Sequence, residues 1–312
     1  MLFRSAPECQ HCYAESNIGV VLTGVCWGTE NQGGTRKVKR SWNEPLMYNR
    51  RAMLTHDRIR CFTASLSDVF DDWNGVMLDA DGNICLTAAF PWDGLVPWKG
   101  GLICSSDELA GILREGWFRT TTMQDCRLRF FREIVDQTPL VDHLVLTKCP
   151  ERIAACLPVP GRAGVAAETS MAECFRPNLW LGTSAGTKHS LEKFLPPLIA
   201  ARDACAVTFL SCEPLLEDVS LKPWLPYLDW VIIGGESGDK ARPSCIEWIR
   251  DVLWQCLEAG VPVFVKQLGA RPLLGGKPYP ITTKKGGYVI EWPRDLDVRQ
   301  FPVPRTAPVT SA

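Results

Sequence analysis

The chain has 312 residues, room for one large α/β domain or two ordinary ones, and its 46% hydrophobic and 22% charged residues are ordinary globular values. A formal net charge of −1 provides no global attraction to nucleic acid or to an anionic membrane. No run approaches the roughly 20 unbroken apolar residues of a membrane span, and the first residues lack the apolar core of a signal peptide, so the cytoplasm is the expected compartment.

At the start of the chain, Cys9 and Cys12 in ECQHCYAE have the two-residue spacing that lets both thiolates face one metal or cluster. Most of the fourteen cysteines instead sit in apolar runs, such as Cys61, Cys205 and Cys256, and are expected to pack as small hydrophobes. A disulfide framework is not expected in a long chain without a secretory signal. The run RKVKR at 36–40, with Arg50, Arg51, Trp27 and Trp42, is a candidate nucleic-acid patch, since cations with aromatics suit phosphates and stacked bases; a solvated loop is the competing reading. His11, His56, His143 and His189 show no metal-ligand spacing.

From about residue 58, strand and helix patterns alternate. Strands are predicted at 58–65, 142–147, 179–184, 206–211, 229–235 and 261–266, and helices at 124–137, 150–156, 189–201 and 246–259. In the last helix Ile246, Ile249, Val252, Leu253 and Cys256 form one stripe, with Gly260 as the stop. Strands that are apolar on both faces and joined by helices imply a parallel sheet covered on both sides. About six such units with right-handed crossovers predict an α/β fold, an open or closed parallel (β/α) barrel, with a doubly wound sheet as the competitor. Residues 71–123 break the rhythm and read as an insertion with a hairpin at Asp81-Gly82. The expected division is an N-terminal segment at 1–57, a core at 58–269 and an extended tail at 270–312.

Parallel α/β folds build their sites at the carboxyl ends of the strands. Those ends hold Ser65 and Asp68, Thr147 and Lys148, Thr183 and Ser184, Ser211, Cys212 and Glu213, Gly234 to Ser237, and Lys266 with Gln267. Strands commonly exit into polar loops. Two lysines and two glutamates placed directly after apolar strands, however, must be paired or solvated within a cleft. Lys148, Glu213, Glu236 and Lys266 are therefore the candidate catalytic residues. Ser65, Asp68, Ser184, Ser211, Gly234, Gly235 and Ser237 are candidates for cofactor binding.

The runs SLSDVFDDW, LVLTKCPERI, NLWLGTSAG, VTFLSCEPLLEDVSL, WVIIGGESGDKARP and VFVKQLG, with CxxCYA at Cys9–Ala14, resemble the phage-type family named for gene products thirty-seven and sixty-eight. The resemblance runs from about residue 9 to residue 302. It implies a partial, radical-SAM-like barrel with a [4Fe-4S] cluster and S-adenosylmethionine as cofactors, Cys9 and Cys12 as metal ligands, and Tyr13 as the aromatic that shields the cluster. Such a cluster takes three thiolates. The family pattern places another cysteine before CxxCYA, and none precedes Cys9. The expectation is that the first ligand and the strand before it are missing, either because the recorded start is too late or because this member has lost its cluster, with substitution by Cys26 as a third reading, and that the chain purified in air holds no intact cluster. Cys149 stands where the family shows arginine. The resemblance also implies a possible protein partner carrying a three-cysteine motif.

Three readings follow. They are a radical-SAM-like enzyme, a non-catalytic module binding zinc or a cluster, and a nucleic-acid-associated phage or defence protein.

Overall fold

The computed structural model describes residues 34–38, 42–63, 68–88, 103–104, 118–161 and 170–308. Six strands form its main sheet: β1 (Ile59–Thr63), β2 (Val141–Thr147), β3 (Arg176–Ser184), β4 (Cys205–Cys212), β5 (Trp230–Gly234) and β6 (Val263–Gln267). Each strand pairs in parallel with the next, so the order across the sheet is the order along the chain. A doubly wound sheet reverses its order at a switch point. This one never reverses, and it curls into a half-barrel.

Among the described residues five α-helices accompany the sheet: α1 (Glu44–Thr55), α2 (Met123–Arg129, continued by a π-helical stretch at Phe130–Val135), α3 (Ile153–Cys156), α4 (Lys188–Ala200) and α5 (Ile246–Glu258). Their starts are written locally. Thr122 and Asp125 form a capping box at α2, and Thr187 and Ser190 form one at α4, so two otherwise orphaned amides are satisfied at each end. Gly260, at φ 68°, follows α5 in the left-handed conformation that stops a helix.

Strand alternation sorts the core into two layers. Val145, Leu181, Leu210, Val231, Ile233 and Val265 point to the convex side, where they pack with Phe131, Leu195, Ile249 and Leu253 of the helical layer. Leu144, Trp180, Val207, Phe209, Trp230 and Ile232 form a separate cluster on the concave face. Gly182 makes room there for the Phe209 ring, because a Cβ at this position would stand 2.4 Å from it.

The C-terminal tail crosses the amino end of the half-barrel. The Gln300 N–H donates to Val263 O at 2.9 Å, and Trp230 Nε1 donates to Gln300 O at 2.9 Å. The Phe301 ring then rests 5.4 Å from Trp230 and 5.5 Å from Phe264, between centroids. Further on, the Arg305 guanidinium donates to Cys205 O and Thr208 Oγ1.

Part of the N-terminal segment belongs with the insertion. Arg36–Lys37 pairs in parallel with Met77–Leu78, in a five-stranded sheet completed by Ile84–Ala88, Ile103–Cys104 and Phe118–Thr120. Met77–Leu78 and Ile84–Ala88 are antiparallel, and Gly82 takes φ 93° in the turn between them. The buried Arg36 guanidinium is tied to Asp71 at 2.8 Å and stacked on Trp73.

A candidate site at the carboxyl mouth of the half-barrel

Because every strand runs the same way, Lys148, Ser184, Ser211, Glu213, Gly234, Glu236 and Lys266 all lie at the carboxyl end of the sheet. Within that rim, Glu213 and Lys266 are brought together. Lys266 Nζ donates to both carboxylate oxygens of Glu213, at 3.0 and 2.8 Å. The Glu213 side chain is 18% exposed and that of Lys266 53%, so the pair opens to solvent. Gly234 lies beneath it, and a Cβ there would come within 3.4 Å of the Glu213 carboxyl carbon. Ser184 and Ser211, both buried, face each other across β3 and β4.

Glu236 does not join this pair. Its carboxylate accepts from the Arg242 backbone N–H at 2.7 Å and from two guanidinium nitrogens at 2.9 and 2.7 Å. Its own carbonyl accepts from Ala270. Gly235 sits so tightly against the end of β6 that a Cβ would lie 2.2 Å from Leu268 O. Glu236 and Gly235 thus clamp the loop from Glu236 to Arg242 onto the following segment. Burial explains why: a carboxylate that is 7% exposed needs a cation, and Arg242 is near in sequence. Ser237 follows, half-buried.

Asp68 has a structural task as well. It is 3% exposed and accepts from Phe70 N–H, Thr147 Oγ1 and Lys148 N–H at 2.9, 2.7 and 2.7 Å. Burial pushes its carboxyl above the ordinary range, against the pull of these three hydrogen bonds. The group ties the chain before the insertion to the end of β2. Lys148, half-buried, takes part through its backbone amide.

Cys9, Cys12, Tyr13 and Ser65 lie outside the described residues. Among the described residues, no group of three His, Cys, Asp or Glu could hold a metal ion. Cys212 is fully buried on the helical side of β4, and burial pushes the Cys149 thiol up to about 12, so neither offers a ready thiolate at the mouth. Of the candidate nucleic-acid patch, Arg36 is buried in its ion pair.

Sequence reasoning missed Arg242 as the partner of Glu236. It also missed the contact of Arg60 with Phe301 on the concave side, where Phe62 also lies. The alternation of Arg60 and Phe62 with Cys61 and Thr63 was the available signal, for it places the first two on one face.

No curated protein and no solved structure matches the chain. A family model described as Protein of unknown function (DUF5131) matches residues 116–282, which include β2 to β6 and every mouth residue from Lys148 to Lys266. That match spans more than half of the chain, and the protein belongs to this family.

Proposed function

We propose that the protein is a radical-SAM-like enzyme whose substrate binds at the carboxyl mouth of the half-barrel, held by Glu213 and Lys266. The observation that carries this reading is the Glu213–Lys266 pair itself, a carboxylate and an ammonium 2.8 Å apart at the open mouth of a singly wound parallel sheet. Parallel α/β folds place their chemistry there. An exposed ion pair contributes little to stability, so either partner exchanges at small cost for a charged group of a ligand. Glu213 would take a cationic or hydrogen-bond-donating group, and Lys266 an anionic one.

The radical part of the reading rests on the CxxCYA resemblance. When bound, a four-iron cluster would supply the reductive cleavage of S-adenosylmethionine. It takes three thiolates, of which Cys9 and Cys12 would be two, and no step is routed through it. With only those two thiolates from the motif a four-iron cluster would be poorly held, and the chain is expected to hold none intact when purified in air. A form carrying a further cysteine ahead of Cys9 is expected to turn brown on anaerobic reconstitution, with about four irons per chain. It should then release 5′-deoxyadenosine from S-adenosylmethionine under a strong reductant. A form that stays colourless and takes up zinc instead would overturn the proposal.

A further inference from the structure

From Lys266 to Ile290 the chain carries five cations and no carboxylate, in a sequence whose formal net charge is −1. The surplus is local, and the fold gathers it. Just past β6, the Leu268 and Gly269 N–H groups donate to Gly286 O and Lys285 O at 2.9 and 3.0 Å, and Gly238 N–H donates to Lys284 O at 3.0 Å. Ala270 N–H donates to Glu236 O at 2.7 Å, and Ser244 N–H to Arg271 O at 3.2 Å. Three segments, 236–244, 268–274 and 283–287, thus lie side by side. Lys277 belongs to the same surface, on the short strand that pairs antiparallel with Pro272–Leu274.

Two glycines permit this approach. Gly269 takes φ 90° and Gly286 φ 58°, and a Cβ on Gly286 would stand 2.4 Å from Gly269 O. The buried Trp292 holds the same loop by donating Nε1 to Gly286 O at 2.9 Å. On this anchored loop Lys284, Lys285 and Tyr288 are exposed, the tyrosine at 58%.

Lys284 pairs with Asp239 at 2.5 Å, in a fully solvated contact. Among the described residues Lys240, Arg271, Lys277 and Lys285 are exposed and form no ion pair. Like charges collected on one surface repel each other, and a polyanion relieves that repulsion. These cations stand on separate segments, an arrangement that suits successive phosphates of a chain better than one small anion. Tyr288 adds a planar face on which a base can stack whatever its sequence. An acidic protein or a lipid surface would match the charge and leave the ring without a partner.

We propose that this surface binds a single-stranded nucleic acid, with phosphates along Arg271, Lys277 and Lys285 and a base on Tyr288. The binding needs neither a cluster nor a reductant, so it stands or falls apart from the radical reading above. DNA and RNA strands share the required chemistry.

Fluorescence anisotropy of the full chain with labelled DNA and RNA strands of one mixed sequence, about 12 nucleotides long, tests the proposal and tells the two sources apart. Affinity for at least one strand should fall as salt rises. The double variant Lys277→Gln with Lys285→Gln should bind at least tenfold more weakly. It should also flatten the plot of log affinity against log salt by about 1.4, about 0.7 for each lost phosphate contact. Lys193→Gln with Lys222→Gln, two exposed lysines outside the surface, should change neither quantity. Tyr288→Ala should weaken binding about tenfold, and Tyr288→Trp should preserve it. Equal effects of the two lysine pairs would overturn the location. Binding that ignores Tyr288→Ala would overturn the stacked single strand. Capture by vesicles of anionic lipid or by polyglutamate, with no binding of either strand, would overturn the partner class.

Discussion

The Arg60 guanidinium lies 4.2 Å from the centroid of the Phe301 ring, joining the first strand of the sheet to the C-terminal tail. The same ring packs on Trp230 and Phe264, and the tail hydrogen-bonds along β6. The tail therefore spans the amino end of a sheet whose edges do not pair with each other, and it holds the curl from which the open mouth follows.

Phe301→Ala should lower stability by about 1–2 kcal/mol, less than a fully buried phenylalanine would because this ring is 42% exposed. Amide exchange should quicken in β1 and β6 and stay slow in β4. Uniform exchange across the sheet would show that the tail does not hold its edges.

Two acidic groups at the rim should answer mutation differently. Glu213→Gln and Lys266→Met break a half-solvated pair and should change stability by no more than about 1 kcal/mol, while ligand binding falls at least tenfold. Glu236→Gln removes a buried charge that holds the half-buried Arg242 and should cost about 3 kcal/mol in urea unfolding. Equal stability losses at Glu213 and Glu236 would assign both to structure.

His143 is fully buried between Thr63 and Thr138, and desolvation lowers its pKa to about 4. The unfolded chain, with an ordinary histidine near 6.5, binds the extra proton first. Stability from the neutral ring is thus fully present above about pH 6.5 and is lost as pH falls toward 4, with a slope of up to about 1.4 kcal/mol per pH unit. Urea midpoints between pH 4 and 7 should follow this fall, and a His143→Gln variant should flatten it. Identical slopes in the two proteins would remove His143 as the cause.

Gly182→Ala would place a methyl 2.4 Å from the Phe209 ring, which is itself fully buried. Overpacking of this kind should cost about 1–3 kcal/mol, and the double variant with Phe209→Leu should recover part of the loss in thermal unfolding. A Gly182→Ala protein as stable as the parent would mean that Phe209 has room to move.

Much of the scaffold was legible in the residues. Runs such as LWLGTS and VTFLSC are apolar without alternation because both faces of a parallel strand are covered, and such runs read clearly. Thr122, Thr187 and Gly260 mark helix ends through bonds that reach only three or four residues. Placing Lys148, Glu213, Glu236 and Lys266 at one end of the sheet then followed from parallel strands alone.

Which charge meets which was decided by the tertiary structure. Glu236 takes Arg242, six residues on, while Glu213 takes Lys266, 53 residues away on β6. Arg36 turns inward to Asp71 when its sequence neighbours suggested a surface patch. Arg60 and Phe264, on the two edge strands, meet one ring only because the sheet curls and a tail far along the chain crosses it. Periodicity and capping are short-range properties of the backbone and can be read along the chain. Pairing across a cavity depends on curvature and burial, which arise only when distant strands pack together.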